Sequence, residues 1–152
     1  LMDWAFDIAI KNRKLLEAFI ENHSLEALNK VPDGFNNNMI WNIAHTVVTQ
    51  QLLVYKLSGL QMLIPEDMVE TFKKGTKTER DLSQSEVDTI KALLFSPIEK
   101  TKEDYDNKMF QSFNEYTVTT KSTLTTVEEA IEFNNFHEGI HLGYILALRK
   151  SL

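Results

Sequence analysis

Residues 38–59, NMIWNIAHTVVTQQLLVYKLSG, decide the fold. Trp41, His45, Val48, Leu52 and Tyr55 recur at steps of four and three, which is the spacing of one helical face. Asn38 supplies N-cap chemistry at the head and Gly59 a C-cap at the foot, so the spacing predicts a helix from Met39 to Ser58. One member of the stripe is out of character: His45 puts a titratable ring into an otherwise apolar row.

The pattern returns at the far end of the chain. Thr125 and Thr126 followed by Glu128 and Glu129 form a cap, and the stripe behind it runs Ile131 or Phe133, His137, His141, Tyr144, Leu148. Upstream, residues 4–21 set Ile8, Leu15, Leu16, Phe19 and Ile20 at near-helical spacing, which predicts a first amphipathic helix. A loop over 22–37 follows, carrying Pro32, Asp33 and Gly34. Residues 60–82, with Pro65, Gly75 and the basic run Lys73 to Arg80, read as a connection long enough to cross over the molecule. Ser83 with Glu86 forms a capping box ahead of Val87, Ile90, Leu93 and Leu94, starting a third helix. Pro97 then interrupts it; Ser96-Pro97-Ile98-Glu99 has the form of a fresh helix start, so a kink and a restart are both open, with the segment reaching Asp106. Residues 110–124 are rich in β-branched and aromatic side chains, but one strand has nothing to pair with, so an ordered loop is expected there. Four long helices and no strand pair give an all-α fold in one domain over 1–152, with the facing stripes as its core.

Composition narrows the function. At 152 residues the chain is long enough to bury one core unaided. A net charge of −6 argues against a nucleic-acid surface, which needs clustered Lys and Arg. No apolar run approaches the roughly 20 residues of a membrane span, and the opening LMDWAFDIAIKNRK lacks the order of a signal peptide. Met2 reads as an initiator, with Leu1 left over ahead of it. The absence of cysteine removes disulfides, a thiolate nucleophile and Cys-ligated metal, and fits a cytoplasmic protein. Any metal here must be held by N and O ligands.

His137 and His141 are four residues apart and share a helical face, so two imidazoles can reach one ion. His45 is the third histidine on an inward stripe, while His23 sits at a helix end beside Asn22 and Ser24. A lone buried histidine is ordinarily hydrogen-bonded core. Three of them in one core would each need a partner, at a cost of about 1–3 kcal/mol for each left unsatisfied, whereas one metal satisfies all three. HEGIH is also a formal match to the zinc-protease motif, but that chemistry needs a further ligand downstream, and the eleven residues after His141 hold no His, Asp or Glu. A di-iron site needs a second Glu-x-x-His pair, which no other histidine in the chain supplies. What remains is one mononuclear three-histidine site with a coordination position open, as in catalytic zinc centres.

The segments NMIWNIAHTVVTQQLLVYKLSGL and FNNFHEGIHLGYILALRK, one histidine early in the second helix and HxxxH in the last, resemble the DinB-like superfamily of metalloenzymes. The likeness extends to the first helix, the PDGFNNN entry loop and the long connection. It implies a four-helix bundle of up-down-down-up order and a divalent metal ion, zinc or nickel, on three histidines matching His45, His137 and His141. It also implies homodimers and, for characterised relatives, either transfer reactions of low-molecular-weight thiols such as bacillithiol or mycothiol or a mycothiol-dependent maleylpyruvate isomerisation. The lack of cysteine agrees with sulfur arriving on a cosubstrate.

Around the histidines the sequence offers weaker candidates. Glu138 lies about 100° round the helix from His137, which sends it to the flank of the metal or, more simply, to solvent. Asn134 and Tyr144, each within a turn of the pair, are placed to line a pocket or orient ligands, and Gln50 and Gln51, beyond His45, to accept substrate groups or to lie at the surface. Tyr55 and Trp41 read as core. Two functions follow: a thiol transferase or hydrolase type of metalloenzyme, or a non-catalytic metal-binding or stress-response protein. A fourth protein ligand would favour the second.

Overall fold

A computed structural model describes residues 2–152; Leu1, read above as left over, lies outside them. Helix α1 spans Asp3–Glu21, and a short α2, Leu25–Asn29, capped by Ser24, occupies the expected loop. Helix α3, Met39–Gln51, begins where Asn38 accepts the Trp41 amide at 2.8 Å and passes into a π-helical turn over Leu52–Lys56. Gly59 closes it at a φ of +71°, a conformation that glycine enters without penalty.

The middle third departs from the reading of the sequence. The 60–82 connection contains a helix, α4, Glu66–Phe72, packed on α3. Pro97 marks a restart rather than a kink: α5, Gln84–Ala92, ends before it and α6, Ser96–Asp106, begins with the proline in its first turn, although Ser96 does not cap it. The segment expected as a loop folds on itself into a minimal antiparallel hairpin, β1, Tyr116–Thr117, paired with β2, Thr123–Leu124. The strand partner was six residues away. Helix α7, Val127–Leu148, starts on Thr126, whose hydroxyl accepts the Glu129 amide while Glu129 accepts the Thr125 amide.

The buried apolar side chains form two clusters. One gathers Leu16 and Ile20 of α1, Met39 to Val48 of α3, Val87 and Ile90 of α5, and Leu142, Ile145 and Leu148 of α7. The other gathers Met2, Ala5 and Phe6, then Leu53, Val54 and Tyr55, then Val127, Ala130 and Ile131. Thus α1 and α7 each start in the second cluster and end in the first, whereas α3 with the π-helical turn that continues it does the reverse. Along the chain between the two clusters lie the buried polar groups Arg13, Gln50, Gln51, Asn134 and Glu138, joined by Thr101 of α6. Leu15, expected on the inward stripe of α1, is instead outside, 54% exposed, and Arg13 takes the interior.

Most of this polar layer is hydrogen-bonded, Asn134 Oδ1 being left without a partner. The Arg13 guanidinium donates to both Glu138 carboxylate oxygens, Nε at 2.9 Å and Nη2 at 3.1 Å, and its Nη1 donates to the Leu94 carbonyl at the break between α5 and α6. Asn134 donates to the same carboxylate. Both charges are fully buried, so each depends on the other. Replacing Glu138 by Ala should cost about 3–5 kcal/mol in urea unfolding, because Arg13 is left charged and unpaired. The volume-matched Arg13→Met/Glu138→Leu double variant should recover most of that loss.

Candidate metal centre

His45 lies nearly two turns inside α3, 5% exposed, with the indole of Trp41 stacked on it at 4.6 Å and 11°. Its Nδ1 is 2.7 Å from the Phe72 carbonyl at the end of α4. A carbonyl only accepts, so Nδ1 carries the proton and Nε2 keeps a free lone pair. His141 is oriented by a longer chain of bonds. Asn42 Nδ2 donates to the Asn38 carbonyl at 2.8 Å, which turns its Oδ1 toward His141 Nδ1, also at 2.8 Å. That nitrogen too must donate, leaving the His141 Nε2 lone pair free. These bonds do what carboxylates and carbonyls do behind metal-bound histidines elsewhere, fixing tautomer and ring direction.

His137 completes the group. Its ring centroid is 4.5 Å from that of His141 and 5.1 Å from that of His45, and His45 and His141 are 4.7 Å apart. One ring nitrogen of each residue lies within 4.8 Å of the others. His137 Nδ1 is buried without a hydrogen-bond partner. Burial pushes the His137 ring down to about 3, with repulsion from His141 and then His45 adding to it, and pushes His141 down to about 4, with repulsion from His45. Burial also lowers His45, against the pull of its bond to Phe72. All three rings are therefore neutral at pH 7, the form in which imidazole binds a cation. The donor set, the fixed tautomers and the orphaned Nδ1 fit a divalent ion. Among the described residues no Asp, Glu or further His joins the cluster.

The other expected site residues go elsewhere. Glu138, expected to face solvent or flank the metal, points inward to Arg13, and Asn134 follows it. Gln51 is buried, not a surface or pocket group: its Nε2 donates to Gln50 and its Oε1 accepts the Leu63 amide, which ties down the start of the long connection. Gln50 donates to Thr101 across to α6. Tyr144 is exposed, its ring edge-on to Phe35 at 5.6 Å. Trp41 and Tyr55 are buried as expected. His23 bonds the Phe19 carbonyl, away from the cluster. The sequence reading missed Asn42, Thr49 and the Phe72 carbonyl. Asn42 carried a signal, since a polar residue one turn before His45 interrupts the same buried face; a backbone carbonyl carries none.

A helical protein with three histidines converging from two helices is the class these features define. The chain belongs to the DinB superfamily, whose model it matches over residues 9–145. No curated protein matches the sequence. Among solved structures the chain is similar to a conserved protein from Enterococcus faecalis, with 14% identity over 99% of this chain and 96% of that one and a TM-score of 0.68, which shows a shared fold.

The half-buried rings of His137 and His141 predict how the metal-free protein responds to acid. An unfolded histidine titrates near 6.5, whereas folded His137 and His141 resist protons down to about 3 and about 4. Above pH 6.5 neither state binds them and stability is flat. As the pH falls below that value the unfolded chain takes up protons that the folded chain refuses, so stability is lost progressively toward pH 4. Melting curves of chelated protein should show this decline, and it should shrink in His137→Phe.

Proposed function

We propose that this protein is a mononuclear metalloenzyme of the transferase or hydrolase type, holding one divalent ion, zinc or nickel, on His45, His137 and His141. The observation that carries the reading is the pair of outer hydrogen bonds, from His45 to the Phe72 carbonyl and from His141 to Asn42, which leave both Nε2 lone pairs free within a three-histidine cluster. Three neutral donors and, among the described residues, no fourth protein ligand leave a coordination position for a small molecule, the arrangement of catalytic rather than structural sites. Bound there, the ion would favour the ionised form of a thiol or water near neutral pH. A low-molecular-weight thiol is the substrate class that family likeness and the lack of cysteine favour. The residues of the chain orient the ligands, keep protons off them by burial, and hold Trp41 against the ring of His45. No described helix is long and apolar enough to cross a membrane, which agrees with small-molecule chemistry in a cytoplasmic protein.

The proposed architecture is a single four-helix bundle with α5 and α6 together as the third member. The opposite order of the two apolar clusters along α3, compared with α1 and α7, supports up-down-down-up. The partner is a second copy of this chain. Helix α7 turns Phe136, Ile140, Tyr144 and Leu146 outward, and a side chain added at Gly139 or Gly143 would meet nothing within the chain. The helix begins with Glu128, Glu129 and Glu132, and Arg149 and Lys150 follow its end. Two such helices laid antiparallel about Gly139 and Ile140 set acidic ends against basic ones over an apolar middle.

Elemental analysis with melts before and after chelation tests the site. The expected result is about one ion per chain in wild type, none in His141→Ala, and a chelator-sensitive melt only in wild type. Protein that retains no metal and gains no stability from added zinc, nickel or manganese would return the histidines to an ordinary core. Sedimentation velocity on the same samples should give a dimer for wild type and a monomer, still metal-loaded, for Ile140→Glu; a monomeric wild type removes the proposed interface.

A further inference from the structure

Five threonines lie within the α-helices, and four of them spend the hydroxyl on a backbone carbonyl three or four residues back: Thr46 on Ile43, Thr71 on Asp67, Thr89 on Ser85 and Thr101 on Pro97. This is the usual fate of a helical hydroxyl. Thr49 differs. Its Oγ1 lies 3.4 Å from His45 Nε2, one turn along the same face, and the residue is half-buried at the edge of the histidine cluster.

The His45 Nε2 lone pair is the one left free by the bond from Nδ1 to Phe72, so the Thr49 hydroxyl is placed to donate to the atom that would hold a metal. With an ion on Nε2 that lone pair is taken, and the hydroxyl must turn to another acceptor. No backbone carbonyl receives it in this structure. Two acceptors are then open to it: the carbonyl one turn back, as in the other four threonines, and whatever small molecule enters the coordination position that the three histidines would leave open.

We propose that Thr49 is the hydrogen-bond donor that orients the exogenous ligand at this centre. It selects ligands whose metal-bound atom still has a lone pair to accept a bond, such as an anion, a thiolate or a water, over ligands that have none. A donor held in place before the ligand arrives strengthens binding without reorganisation. The assignment rests on the three-histidine reading, and Thr49 is a positioning residue rather than a metal ligand.

The test uses the full-length protein loaded with cobalt(II) and titrated with azide, read from the visible spectrum. Wild type and Thr49→Val should retain the same cobalt stoichiometry, and azide should bind the Val variant about tenfold or more weakly, as expected when a hydrogen bond to a charged group is lost. Thr49→Ser, which keeps the hydroxyl, should restore affinity to near that of wild type. Equal azide affinity in wild type and Thr49→Val, both loaded with cobalt, overturns the assignment of Thr49 and leaves the metal site standing. Loss of cobalt from Thr49→Val also overturns it, since the hydroxyl would then be serving His45 itself. Failure of wild type to bind cobalt overturns the metal site, and this proposal with it.

Discussion

The pairing of Arg13 with Glu138 is the constraint on which the rest of the arrangement hangs. Neither charge reaches water, and a carboxylate without a counter-charge in that position would be strongly unfavourable. Glu138 must therefore face α1, and a helix advances about 100° per residue, so fixing one side chain fixes the rotation of all of α7. His137 and His141, one before and three after, are then carried to the side that meets α3, where His45 waits. The same guanidinium bonds the Leu94 carbonyl left free where α5 stops, so the break near Pro97 and the aim of the histidines share one anchor.

Local electrostatics complete what rotation begins. Three imidazoles within contact of each other are tolerable only if uncharged, and burial with mutual repulsion holds them so. Hydrogen bonding decides which nitrogens are free. The Asn38 side chain caps α3 through the Trp41 amide, the Asn38 carbonyl sets the amide of Asn42, and Asn42 sets His141. A helix start and a candidate ligand are thus linked by two side chains. The π-helical turn after Gln51 lies beyond this region and leaves the His45 end of α3 regular.

The stripes of α3 and α7 were legible because three of four histidines interrupt strong apolar periodicity, and the convergence of those three on one point followed from the faces they share. The interior role of Glu138 was not legible. Helix α7 is apolar on nearly every side, with Phe136, Ile140 and Leu146 outside, so no polar face marks where water lies. Its partner, Arg13, is 125 residues away and itself looks like a surface residue of an amphipathic helix. The hairpin at 116–124 was missed because each strand is only two residues long, too short for alternation to register. Helix α4 was missed because seven residues beside a lysine-rich run carry little periodicity, and yet its last carbonyl orients His45.

X-ray absorption at the metal edge of the zinc-loaded protein tests the central claim most directly, since it reads the ligands and not their consequences. Three imidazole nitrogens at about 2.0–2.1 Å and one light, exchangeable fourth ligand is the predicted shell. A fourth ligand from the protein, or fewer than three imidazoles, would contradict an open three-histidine centre built from His45, His137 and His141.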